Sequence, residues 1–195
     1  GWTNSTSGSG ATSTLNTGSG LIELAINDNG GTARIERTMV LPPDYRVQLR
    51  VRSATDTTTN VLLNLSPYQV LTPFEGPRFT LYGDGSVRLR YVDAGGTSRD
   101  QGPGSAIAAI RAAMTAGTLW LRTQCLGGVV SWQYAIGATE ASLAWLYLGA
   151  YVMPLITAQA GERVPSVVNV HLSRIASSGA QTATIDSVSW RDLSP

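Results

Sequence analysis

Thr182-Ala183-Thr184-Ile185-Asp186-Ser187-Val188-Ser189-Trp190 decides how this chain is read. The stretch is β-branched and alternates, the pattern of a strand with one buried face. A strand this late must pair with strands laid down much earlier. Such long-range closure predicts an all-β fold, a two-sheet antiparallel jelly-roll sandwich, rather than a helical or α/β one.

Upstream, short strand-like runs are separated by turn signals, as a sandwich requires. Asp44 to Ser53 is the cleanest. Tyr45, Val47, Leu49 and Val51 take one face; Arg46, Gln48, Arg50 and Arg52 take the other. Leu21 to Asn27 and Thr32 to Leu41 flank Asp28-Asn29-Gly30-Gly31, which suits a hairpin turn. Val61 to Leu65 is a shorter strand. Arg78 to Tyr82 and Ser86 to Asp93 flank Gly83-Asp84-Gly85, and Thr118 to Cys125 and Val129 to Ile136 flank Gly127-Gly128. A last pair, Val167 to Ala176 and Thr182 to Trp190, is joined across Ser177-Ser178-Gly179-Ala180. One short helix is expected from Ser105 to Met114, with Ser105 as cap and Gly117 as stop. Residues 1–20, rich in Gly, Ser and Thr, read as a linker or an N-terminal edge. Residues 21–195 read as the sandwich domain.

The chain's 195 residues fit one all-β domain that buries most of its surface without a disulfide or metal. The single Cys125 reads as a small buried hydrophobe. Fourteen basic residues, all arginine, balance 13 acidic ones, which argues against a dedicated nucleic-acid binder. The uncharged run between Glu140 and Glu162 nearly matches a membrane span in length. Gly149, Pro154, Thr157 and Gln159 interrupt it, and core strands around a loop are the expectation.

The positive chemical feature is the set of arginines. Arg46, Arg50 and Arg52 project from one strand, beside Gln48, and Arg88 and Arg90 from another. If these strands share a sheet they form one polar ladder, which Arg122 extends. Guanidinium groups there would bond sugar hydroxyls or acidic sugars, and Trp132 and Tyr134 would stack on sugar rings. A solvated outer face, or a surface packed on a neighbouring chain, explains the same arginines. Trp120, Trp132, Trp145 and Trp190 equally suit core or interface anchors, with Trp190 sealing one end of the core.

The order of motifs resembles the concanavalin A-like lectin/glucanase superfamily, laminin-G-like in its broad sense. Gly31 to Ile35, Asp44 to Val51, Gly83 to Leu89, Thr118 to Arg122, Trp132, Trp145 and Ala183 to Val188 carry the resemblance. The look-alikes are sandwich modules of actinobacterial secreted proteins and of phage minor tail or fibre proteins. The resemblance implies virion (tail) or extracellular placement and a host surface glycan as partner. It also leaves calcium open at Asp28-Asn29 or Asp84, although turn-forming acids explain both.

An enzyme of that superfamily would carry acids on alternate positions of one strand, where retaining chemistry can place two carboxyls about 5–5.5 Å apart. No acids here stand at i and i+2 or i and i+4. His171, the one histidine, sits opposite in phase to Val168, Val170 and Leu172, so a neutral strand-surface role is expected. Zinc is not expected with one His and one Cys. The expectation is a non-enzymatic adhesion or carbohydrate-binding module with no required cofactor. The alternatives are a structural virion or appendage block, assembling with itself or with other virion proteins, and a glycan-degrading enzyme.

Overall fold

The computed structural model describes residues 3–7, 10–16, 20–26, 32–40, 42, 44–54, 61–69, 78–92, 97–102, 105, 107–152, 165–173 and 181–194. In chain order the strands are β1 (Thr3–Ser7), β2 (Ala11–Asn16), β3 (Leu21–Ile26), β4 (Thr32–Val40), β5 (Tyr45–Ala54), β6 (Val61–Gln69) and β7 (Arg78–Tyr82). They continue as β8 (Val87–Val92), β9 (Ser98–Gln101), β10 (Leu119–Leu126), β11 (Val129–Ile136), β12 (Leu146–Val152), β13 (Pro165–Ser173) and β14 (Gln181–Asp192). One helix, α1 (Ala108–Ala116), lies between β9 and β10, and a single 3-10 turn (Glu140–Ser142) lies between β11 and β12.

The strands form two seven-stranded antiparallel sheets. The first runs β1-β4-β13-β6-β7-β8-β9 and the second β12-β11-β10-β5-β14-β3-β2. The expected two-sheet sandwich with one helix is what forms. Its core follows from period two. Val47, Leu49 and Val51 of β5, Leu119 and Leu121 of β10, and Ile22, Leu24 and Ile26 of β3 face Phe79, Leu81, Val87 and Leu89 of the first sheet. Tyr91 stacks on Tyr151 with ring centroids 4.1 Å apart, and Tyr151 stacks on Trp132 at 5.4 Å. This stack ties β8 of one sheet to β11 and β12 of the other.

Helix α1 buries Ile110, Ala113 and Met114, the i, i+3, i+4 face expected of a packed helix. It rests beside β5 and β10. Gly117 ends it in the left-handed conformation (φ 69°), and the Thr118 N–H donates to the Ala113 carbonyl. Glycine is needed twice over, because a Cβ there would run into the Arg52 carbonyl. The start differs from expectation. Ile107, in extended conformation, precedes the helix without a side-chain cap, so Ser105 does not cap it.

Two expected hairpins are corrected. β13 pairs with β4 and β6, whereas β14 pairs with β3 and β5, so the last two strands lie in different sheets. β3 and β4 are likewise split. A turn sequence fixes where the chain reverses, not whether it pairs with the strand before it or crosses to the facing sheet. Gly83-Asp84-Gly85 and Gly127-Gly128 do join paired strands. Within residues 1–20, β1 takes an edge of the first sheet and β2 an edge of the second. The run after Glu140 gives the 3-10 turn and β12, and among the described residues no helix is long and apolar enough to cross a membrane.

Candidate functional site

The outer face of the second sheet gathers most of the chemistry. Register sets it out in three rows across four strands. One row is Gln133, Arg122, Gln48 and Ser189. On one side of it lie Ser131, Gln124, Arg46 and Arg191; on the other lie Ala135, Trp120, Arg50 and Ser187. Alternation puts the residues of β5, β10 and β11 outward because their neighbours in sequence, such as Val47, Leu49, Leu121 and Val130, face the core.

The side chains are interlocked. The Arg46 Nε–H donates to Gln124 Oε1 at 2.9 Å and the Arg122 Nη1–H to Gln133 Oε1 at 3.1 Å. Arg50 donates from Nη1 to Asp186 Oδ2 at 3.1 Å and from Nη2 to the Gly117 carbonyl at 3.3 Å. Arg52 stands 3.9 Å from the same Asp186 oxygen. A β-bulge in β14 between Ile185 and Ser187 sets Asp186 apart from the regular register with β5.

The connection from β11 to β12 folds over this face. The Trp145 ring lies 3.4 Å from the Arg122 guanidinium, a close cation–π contact. Glu140 Oε1 accepts a hydrogen bond from Gln48 Nε2 at 2.8 Å and stands 3.8 Å from Arg191 Nη2. The Trp120 Nε1–H donates to the Gly137 carbonyl at 3.0 Å, and the Arg50 guanidinium lies 5.5 Å from the Trp120 ring. Arg122 is thus only 9% exposed. Burial first, then the Arg46 guanidinium, lower its pKa to about 10; Glu140 opposes them and Arg191 adds to them. Among the described residues, three buried polar atoms on this face have no hydrogen-bond partner: Gln48 Oε1, Arg50 Nε and Arg122 Nε.

The single arginine ladder does not form. Arg46, Gln48, Arg50, Arg52 and Arg122 share the second sheet, but Arg88 and Arg90 ride on β8 of the first. Arg88 is exposed, 5.3 Å from the Tyr82 ring. Arg90 donates to both carboxylate oxygens of Asp100 on β9, at 2.8 and 3.2 Å, and this holds the Asp100 pKa below its ordinary value. Trp132 and Tyr134 are not stacking platforms beside the arginines. Trp132 is wholly buried in the core. Tyr134 lines a separate cleft of about 620 Å³ with Gln101, Ile107, Leu146, Tyr147 and Leu148. The phase of β11 carries this signal: Val130, Trp132 and Tyr134 fall on one side, Ser131 and Gln133 on the other. Trp190 is a further correction, since it is 38% exposed rather than sealing the core.

Sequence reasoning missed Gln124, Gln133, Glu140 and Arg191 as members of the site. The two glutamines share the phase of Arg122 and could have been found that way. Glu140 sits in a connection with no motif to mark it.

Cys125 is buried, and burial raises its thiol pKa to about 11, so the thiol is un-ionised at neutral pH. Asp84 Oδ1 accepts from the Ser86 N–H and Oγ–H, the bonds of a turn-forming aspartate. Asp28 and Asn29 lie outside the described residues, and so does the side chain of His171. No group of three or more His, Cys, Asp or Glu residues able to hold a metal occurs among the described residues.

No family model matches this chain, and no curated relative matches it. Solved structures do. The exoplasmic/lumenal domain of VIP36, in a form bound to Ca2+ and Man3GlcNAc, is similar over all of this chain and 86% of its own, with TM-score 0.60 and 10% identity. A legume lectin-like domain from Entamoeba histolytica matches 98% of this chain and 90% of its own, with TM-score 0.59 and 8% identity. The alginate lyase from Klebsiella pneumoniae matches 92% and 83%, with TM-score 0.54 and 12% identity. At these identities the likeness shows a shared fold alone, a two-sheet β-sandwich like that of the lectin-like domains.

Proposed function

We propose that this chain is a non-enzymatic carbohydrate-binding module acting through the outer face of its second sheet. The observation that carries the reading is the row Gln133, Arg122, Gln48 and Ser189, flanked by Trp120 and Trp145, with buried polar atoms left unpaired at Gln48, Arg50 and Arg122. Leaving such atoms unpaired costs stability, and a ligand dense in hydroxyls repairs the deficit. The lectin-like neighbours support the same reading, since VIP36 was solved with a glycan bound. The resemblance in the sequence suggests a phage tail or secreted surface protein as the setting, with a host surface glycan as the target.

Glycan-array screening followed by titration calorimetry tests this. Gln48→Ala with Arg122→Ala is expected to abolish binding, while Arg88→Ala retains it. Binding that survives in the double variant, or its absence from a broad array, overturns the reading.

A second reading is structural. β12 is an edge strand that exposes Leu146, Tyr147 (65%) and Val152 (73%), an apolar strip suited to contact with another subunit. Native mass spectrometry decides here: a strict monomer that binds a glycan argues against assembly as the main role.

A further inference from the structure

We infer that the glycan bound here carries a carboxylate, and that Glu140 occupies the place of that carboxylate when no ligand is bound. This rests on the carbohydrate-binding reading above and specifies its ligand.

Three guanidiniums crowd one end of the face. Arg46 and Arg191 are direct cross-strand partners. Both lie near enough to Arg122 to disfavour its charge. Like charges opposed on adjacent strands repel. Arg46 and Arg122 donate to neutral amides, Gln124 and Gln133. Arg122 is nine-tenths buried and its Nε–H has no partner. A buried guanidinium in that state is short of negative charge, and its field is poorly screened.

Glu140 is the carboxylate that the described residues place beside this group, and it is loosely held. Among the described residues it accepts one side-chain hydrogen bond, from Gln48, and its ion pair with Arg191 is long at 3.8 Å, with both side chains more than half exposed. Exposed pairs of this kind contribute little. Glu140 also sits in a one-turn helix on a surface connection, so a small shift of that segment frees the position. A sugar carboxylate arriving between Arg46 and Arg191 would meet the same Gln48 amide. It could accept paired bonds from a guanidinium fork, which is the stronger geometry. Arg122 then acts from beneath as a fixed positive charge, with Trp145 held over it.

Titration calorimetry with oligogalacturonate and with its methyl ester separates the outcomes. The acid is expected to bind at least about tenfold tighter than the ester, the size of one charged hydrogen bond, and to weaken with added salt. Glu140→Gln should raise affinity for the acid several-fold and leave the ester unchanged. Arg191→Gln, an exposed substitution that spares the fold, should lower acid binding about tenfold. If acid and ester bind equally, the inference fails and the carbohydrate-binding reading stands. The inference also fails if Glu140→Gln leaves acid binding unchanged or weaker. If neither these sugars nor any glycan on an array binds, both readings fall.

Discussion

On β5, Arg46, Gln48, Arg50 and Arg52 leave the second sheet on its outer side; on β8, Arg88 and Arg90 leave the first sheet on its outer side. The residues are of the same type and the spacing is the same. Their surroundings differ because their strands hold different ranks. β5 lies in the middle of its sheet, between β10 and β14, and the β11–β12 connection passes over it. Arg46 and Arg50 are therefore bonded sideways and partly desolvated, while Arg52, at the far end of the strand, stays exposed. β8 lies next to the edge strand β9, where Arg88 stays exposed and Arg90 pairs with Asp100 at the surface. The cost and the usefulness of a guanidinium depend on what covers it, and alternation in the sequence says nothing about cover.

The sharpest test of this contrast is a matched pair of truncations. Arg50→Ala removes bonds to Asp186 and the Gly117 carbonyl from a side chain only 11% exposed, and should cost about 2 kcal/mol. Arg88→Ala should cost no more than about 0.5 kcal/mol. Urea midpoints compare them; equal losses would remove the distinction between the faces.

The inner side of the second sheet supplies a pH test of similar or slightly smaller size. Burial raises the pKa values of Tyr45, Cys125 and Tyr151, with Cys125 at about 11. These groups ionise more readily in the unfolded chain, which then binds fewer protons than the native state. Their contribution should therefore be flat below about pH 8, and stability should fall through pH 9–11, on the order of 2 kcal/mol for the thiol. Arg122, whose pKa is lowered, works in the opposite sense only above about pH 10. Unfolding at pH 7.5 and 10.5 measures the slope, and a stability that rises over this interval contradicts the assignment.

The smallest effect belongs to Arg90 and Asp100, an ion pair with both side chains over a third exposed. A double-mutant cycle with Arg90→Ala and Asp100→Asn should give a coupling of about 0.5 kcal/mol that fades in high salt. A salt-independent coupling above about 2 kcal/mol would make the exposed face as fastened as the covered one.

The sandwich was legible where large apolar residues alternate with polar ones, as in Tyr45 to Arg52 and Val87 to Tyr91. It was illegible in β9, whose Ser-Arg-Asp-Gln holds no apolar residue, and in β1, made of Thr, Asn and Ser. Those are edge strands, formed because a neighbour offers backbone partners and not because their side chains seek burial. The site divides in the same way. That Arg46, Gln48 and Arg50 share a face is a local property of one strand. That Arg122 and Arg191 join them while Arg88 does not is a matter of strand order, which depends on pairings between distant segments. Glu140 enters through the path of a connection, and no periodicity encodes that.

β14 separates β5 from β3 in the second sheet. Until it docks that sheet cannot be continuous: β12-β11-β10-β5 and β3-β2 would each present a bare hydrogen-bonding edge. Closing the sheet therefore depends on a segment whose partners lie far back in the chain, contacts with a high loop-closure cost. In that interval the edges of β5 and β3 are open to pairing with other molecules. Asp186 is carried into place on β14, so Arg50 gains its carboxylate partner only when the gap closes.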